Sequence, residues 1–134
     1  MEFERVFSAA PWESKACYCR ALKAGDTILV GGTVAFDDQG NPFKPGDAYA
    51  QTLRCLEIIE ASLKQLGVDR TRITATRMYT TDMDLWPQIA KAHKEFFEGH
   101  PPTTMLLEVR KLIAPEYLIE IETQARAGKE SNDD

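Results

Sequence analysis

The chain has 134 residues, the length of one domain that hides roughly two-thirds of the surface its unfolded form exposes. Its 16 basic and 21 acidic residues leave a formal charge of −5 and a pI near 5.1, which argues against a general attraction to nucleic-acid phosphate. No apolar run approaches the roughly 20 residues of a membrane span, and the opening MEFERVFSAAPWE is charged where a signal peptide needs an apolar core, so a cytoplasmic protein is expected.

The first segment, FERVFS over 3–8, alternates as a strand does. CYCRALKAGDTILVGGTVAF over 17–36 reads as two strands around the turn KAGD, where Gly25 can take a positive φ and Asp26 can bond back to the backbone. Gly31 and Gly32 interrupt the second of these strands. Paired glycines there mark a bulge, or a place where a ligand or another backbone comes close. Residues 37–47 are turn chemistry throughout.

The period then changes. Leu53, Leu56, Leu63 and Leu66 recur at helical spacing over 48–67, with Asp47 as N-cap and Gly67 as the stop. RITATRMYTTD over 72–82 is β-branched and reads as a strand. Asp82 or Asp84 can cap a second helix over 85–99, with Pro87 in its first turn and His100-Pro101-Pro102 closing it. Residues 103–113 and 116–125 are the last two strands. One domain over 1–126 is expected, followed by a polar, disordered tail over 127–134.

The order βββ-α-β-α-ββ predicts an α+β sheet with both helices on one face. Its strands are apolar on both sides, so the bare face calls for cover by another subunit. Cys17, Cys19 and Cys55 form no metal-like pattern and read as reduced thiols. With His93 and His100 the only histidines, neither a metal site nor a cofactor is expected. Arg70, Arg72 and Arg77 lie close in sequence, either as a small basic cluster or as a solvated strand entry.

The blocks YCRALKAGDTILVGGTVAFDDQGN, TRMYTTDM, AHKEFF, PPTTMLLEV and YLIEIETQA fall in an order that resembles the RidA/YjgF family, also known as endoribonuclease L-PSP. The resemblance spans residues 3–125. It implies a chorismate-mutase-like fold with a mixed β-sheet, and a barrel-like homotrimer holding small-molecule ligands in clefts between subunits. It also implies that the final strand inserts between earlier ones, where the bare sequence suggests a hairpin. Members of this family hydrolyse enamines and imines such as 2-aminoacrylate to 2-keto acids and ammonia.

Carried over residue by residue, the resemblance makes Glu120 the water-positioning carboxylate and Tyr18 the cleft tyrosine. Gly31 and Gly32 stand for a serine-glycine pair, with the hydroxyl missing. The family's substrate-binding arginine stands four residues before the glutamate of EV, and here that place is Thr104. The cysteine two residues further on in many members is Leu106. A hydroxyl in place of a charge-assisted pair forfeits about 1.5–3 kcal/mol toward a carboxylate. Arg20, two residues from Tyr18 on an expected strand, would share its face and is the candidate replacement; the alternative is an ion pair with an acidic neighbour.

Several other residues have two readings at this level. Glu120 and Glu122 share a face, which would raise one pKa if both are shielded, though strand-end carboxylates also pair with Lys or Arg. Glu108 and Arg110 are expected to pair locally. Trp12 and Phe36 either line a cleft mouth or pack in the core, and His93 lies on the polar side of its helix. Three functions follow: an enamine or imine hydrolase (a deaminase acting on C–N bonds) with altered substrate recognition, a non-catalytic metabolite-binding trimer, and, with least support, an endoribonuclease or translation inhibitor.

Overall fold

The computed structural model describes residues 2–128; of the tail expected over 127–134, residues 129–134 lie outside that span. Strands β1 (Phe3–Val6), β2 (Ala21–Ala24), β3 (Thr27–Val34), β4 (Ile73–Thr80), β5 (Thr103–Glu108) and β6 (Ile119–Arg126) form one mixed sheet in the order β1-β2-β3-β6-β4-β5. Helix α1 (Trp12–Ala16) lies between β1 and β2, and α2 (Ala48–Gln65) and α3 (Trp86–Phe97) precede β4 and β5. Strand β5 runs parallel to β4, while β6 pairs antiparallel with β3 and β4. The last two strands are therefore not a hairpin, and the chain from 109 to 118 carries β6 back into the middle of the sheet.

The alternation in β6 shows why two helices share one face. Ile119, Ile121, Thr123 and Ala125 are buried, whereas Glu120, Glu122 and Gln124 are half-buried on the opposite side. Ile28, Val30, Met78 and Ile121 join Leu56, Ile59, Leu63, Ile89 and Phe96 of α2 and α3 in a single core. The other face carries Leu29 and Leu107, which are 47% and 49% exposed, with Met105 beside them. No element among the described residues covers these three side chains.

The expected caps on α2 are present: Asp47 accepts from Ala50 N at 2.9 Å, and Gly67 adopts a φ of 88° just beyond the helix. Asp82 caps a 3-10 turn over Met83–Leu85 instead of α3 itself. Other boundaries move. The strand expected over 103–113 ends at Glu108, whose Oε1 accepts from Met83 N at 2.8 Å. Because Arg110 lies past the strand, the shared face and local pair expected for Glu108 and Arg110 do not form. The segment expected as a strand from Cys17 also begins later. Cys17 ends α1 at a φ of 61°, a left-handed turn that delays the strand to Ala21.

One buried side chain ties α2 to the returning chain. Gln51 Nε2 donates to Phe43 O at 3.1 Å and Glu116 O at 2.9 Å, and its Oε1 accepts from Leu118 N at 2.9 Å. An apolar replacement would orphan these backbone groups in the interior. Gln51→Leu is expected to lose about 2–3 kcal/mol by urea denaturation; a loss too small to resolve would mean that water restores the bonds.

Candidate functional site

The site grows from the glycine pair. Between Val30 and Thr33 the register of β3 against β6 shifts, so Gly31-Gly32 is the bulge that the sequence suggests. Gly31 N donates to Arg20 O at 3.0 Å, and Thr33 Oγ1 donates to Gly31 O at 2.8 Å. A Cβ added to Gly32 would stand 3.1 Å from Glu120 Cδ and run into Oε2. Gly32 is thus the place where a carboxylate lies directly on the backbone, for which a side chain leaves no room.

Arg20 locks the bulge from the other side. It is 2% exposed; its Nη2 donates to Gly32 O at 3.0 Å, and its Nε lies 3.8 Å from Glu13 Oε2. Glu13 is buried and accepts from Ser8 N at 2.8 Å and from the Ser8 hydroxyl. The arginine therefore does pair with an acidic neighbour, and that neighbour anchors α1. Tyr18 and Arg20 are together, with the guanidinium 5.7 Å from the ring centroid, although the reason is the exit from α1 and not the strand expected there.

Glu120 projects from the outer face of β6 beside Gly32. Among the described residues it has no hydrogen-bond or ion-pair partner. Burial raises its pKa above the usual carboxylate range, Arg20 pulls it back, and Glu122 adds to the rise. Glu122 is satisfied differently: Arg77 Nε donates to it at 2.9 Å and the Tyr79 hydroxyl at 3.1 Å. Of the two carboxylates on this face, one is tied and one is free.

Tyr18, Arg20, Gly32 and Glu120 line one cavity of about 350 Å³, walled by Trp12 and Ile113. Lys15 stands at its rim. Glu120 and Ile113 also border an adjoining cavity of about 410 Å³ with Tyr79 and Lys111. Trp12 both lines the site and packs edge-on against Phe36 and Tyr117, with centroids 6.5 and 6.1 Å away; Phe36 itself is buried. Lys15 and Ile113 were not legible as site residues. Helix α1 is five residues long, too short for a period, and Ile113 sits in a loop where an expected strand concealed its role.

Thr104 is not in this cavity. It shares the helix-facing side of the sheet with Thr76, its partner in register, and accepts from Thr76 Oγ1 at 2.7 Å. Thr76 Oγ1 also lies 2.9 Å from His93 Nε2. His93, for which either solvent exposure or an interface bond was expected, is half-buried: its ring lies 4.6 Å from that of Phe97, and burial lowers its pKa. Thr104 and His93 border a separate cavity of about 360 Å³ beside Phe97, Pro101 and Pro102.

The arginines near β4 form no free basic patch. Arg70 is held by Glu60 at 2.6 Å, Arg72 by the carbonyl of Arg126 at 3.1 Å, and Arg77 by Glu122. Cys17 is exposed, Cys19 half-buried and Cys55 buried, all three unpaired; burial drives the Cys55 thiol pKa up, so it is no nucleophile. Among the described residues no group of three or more His, Cys, Asp or Glu side chains could hold a metal ion, and no helix is long and apolar enough to cross a membrane.

Comparison with known proteins places this geometry. The family model described as Endoribonuclease L-PSP matches residues 7–127. An uncharacterised protein of Streptomyces coelicolor is 33% identical over 128 residues, 92% of each chain. A RutC family protein of Sulfurisphaera tokodaii is 28% identical over 118 residues, 88% of this chain and 94% of its own. The crystal structure of a YjgF/YER057c/UK114 family member from Mycobacterium tuberculosis superposes with a TM-score of 0.84 at 34% identity, covering 93% of this chain and 99% of the other.

Proposed function

The chain belongs to the endoribonuclease L-PSP family, which takes in YjgF and RutC proteins, and on that premise we propose that it hydrolyses enamine or imine metabolites in the cavity shared by Tyr18, Arg20, Gly32 and Glu120. The observation that carries the reading is Glu120: a half-buried carboxylate, laid on a bare glycine, unpaired among the described residues, with a pKa raised by burial. Those are the properties of a group that orients water and exchanges its proton.

The reaction adds water across C=N. Glu120 aims a water at the electrophilic carbon and accepts its proton as the C–O bond forms, giving a carbinolamine. Glu120 returns that proton to nitrogen, and as the C–N bond breaks the carbinolamine hydroxyl gives its own proton back to Glu120, so that ammonia leaves a 2-oxo acid. An enamine is first protonated at its β-carbon, for which the neutral form of Glu120 is a suitable donor. Arg20 positions rather than reacts: it holds the Gly32 carbonyl and restrains the rise in the Glu120 pKa.

The same reading makes the protein a cytoplasmic homotrimer with its ligand bound between subunits. What supports the assembly is the uncovered apolar face of Leu29, Met105 and Leu107. Leu107→Glu is expected to convert the trimer to monomer in light scattering after gel filtration, and a trimer indifferent to that charge would count against burial of this face.

A second reading, a trimer that binds a metabolite without turning it over, is favoured by Thr104. It is uncharged and bonded to Thr76, so the family's anchor is missing. The nuclease reading has no comparable support, since Arg70, Arg72 and Arg77 are all engaged within the chain. The test is hydrolysis of 2-aminoacrylate generated in situ, read as 2-oxo acid formed. Turnover lost in Glu120→Gln supports the hydrolase. Absence of turnover, with ligand-induced stabilisation that survives Glu120→Gln, supports the binder.

A further inference from the structure

Resting on that reading, we propose that Glu13 is a positioning residue: its buried carboxylate holds the Arg20 guanidinium off Glu120, and so leaves Glu120 free to act on water. Two carboxylates compete for one arginine. Arg20 Nη2 donates to Gly32 O at 3.0 Å, while the Glu120 carboxylate lies against the α-carbon of the same glycine. Both side chains line one cavity. Yet the ion pair that Arg20 forms is with Glu13, at 3.8 Å, and among the described residues it forms none with Glu120.

Arg20 has the donors to do otherwise. A guanidinium carries five N–H groups, and among the described residues the bond to Gly32 O is the one hydrogen bond this side chain donates. Its Nε is buried without a hydrogen-bond partner. At 3.8 Å Glu13 attracts the charge without closing a hydrogen bond, so the guanidinium is placed by a contest between charges. Glu13 enters that contest already anchored. Ser8 N donates to its Oε1 at 2.8 Å, the Ser8 hydroxyl donates to its Oε2, and Ala10 N braces that hydroxyl at 3.2 Å. Glu13 is 4% exposed and Arg20 2%, so water screens little of their attraction. Glu120 is more open and has no such anchor among the described residues.

Without the Glu13 charge, Arg20 is drawn to the carboxylate that remains. Glu120 then becomes the tied member of an ion pair, as Glu122 is with Arg77, and a weaker base toward water. Glu13 lines neither cavity that Glu120 borders, so its action passes through Arg20. The other charged and titratable groups facing Glu120 are Glu122, Tyr79, the buried Cys55 thiol and, at its cavity rims, Lys15 and Lys111. Tyr18 and Cys55 also face Arg20. These groups, and any that a neighbouring subunit brings, are common to every variant compared.

The test reads Glu120 directly and needs no turnover. The assembled protein is labelled with carbon-13 at its glutamate side-chain carboxyls and titrated by NMR, with the Glu120 signal identified by its absence in Glu120→Gln. Glu13→Gln keeps the shape and removes the charge; it is expected to lower the Glu120 midpoint by about one pH unit or more. Glu13→Asp, which draws the carboxylate back from Arg20, should fall between that variant and the parent. In an Arg20→Gln background, Glu13→Gln should leave the midpoint where it was. The proposal is overturned if Glu13→Gln leaves the parent's midpoint unmoved or raises it, or if the shift is the same with and without Arg20. Where either glutamine variant fails to fold, Glu13→Asp decides by itself, and a midpoint equal to the parent's overturns the proposal. A lowered midpoint in a protein that hydrolyses no imine would sink the hydrolase reading alone. Hydrolysis with an unmoved midpoint would sink only the role of Glu13.

Discussion

Glu120→Gln is expected to lower kcat/KM for an imine substrate by about 10²–10⁴-fold, the usual contribution of a positioned acid–base group, while keeping the native fold. The amide fills the same space beside Gly32 but cannot take the proton from water. The pH dependence has a definite sign. Turnover needs the ionised carboxylate, and burial raises its pKa, so the acid limb of kcat/KM should lie above the ordinary carboxylate range. Glu122 contributes to the rise, and Glu122→Gln should therefore move that limb to lower pH.

Stability moves the other way. A carboxyl whose folded pKa is raised contributes stability at pH values below its unfolded pKa, and that contribution is lost as pH rises through the folded value. Glu120→Gln should consequently match the parent in Tm near pH 4 and exceed it near pH 8. A variant that is inactive and also less stable at pH 8 would show that Glu120 holds the sheet together instead of serving the cavity.

Substitutions at the glycine pair should give opposite results at adjacent positions. A Cβ on Gly31 would lie 3.5 Å from Arg20 Nη2, an ordinary contact, whereas one on Gly32 collides with the Glu120 carboxylate. Gly31→Ser, which restores the hydroxyl common in the family, should fold and act like the parent. Gly32→Ser must swing the flexible end of Glu120 aside, so it should keep a stability near the parent's while losing most of the activity. Equal tolerance of the two serines, measured by denaturation and turnover together, would mean that Glu120 swings freely and is not positioned by the bulge.

Much of this architecture is written in local chemistry. The leucine period of α2 with Asp47 and Gly67 at its ends, the β-branched run of β4, and the glycine pair in β3 each act over a few residues. Their outcome is the same in any context that buries the right face. The candidate residues Tyr18, Arg20, Gly32 and Glu120 were likewise nameable beforehand, by resemblance to a family and by spacing. Their convergence on one cavity was not. The expected strand through Cys17 and Tyr18 was wrong because five helical residues, Trp12–Ala16, are too few to show a period, and a left-handed Cys17 leaves no compositional trace.

Sequence alone determined the order of the six strands and the two long helices, the face those helices share, the bulge, and the loss of a charge at Thr104. Only the tertiary structure decided which side of β5 Thr104 occupies, that Arg20 is tied to Glu13 and Gly32 O, and that among the described residues Glu120 has no hydrogen-bond or ion-pair partner while Glu122 has two. The physical reason is range. Caps, periods and bulges are set by interactions among near neighbours in the chain. The state of a carboxylate or a guanidinium is set by what packs beside it, and here those neighbours are brought together by a β6 that returns to lie between β3 and β4.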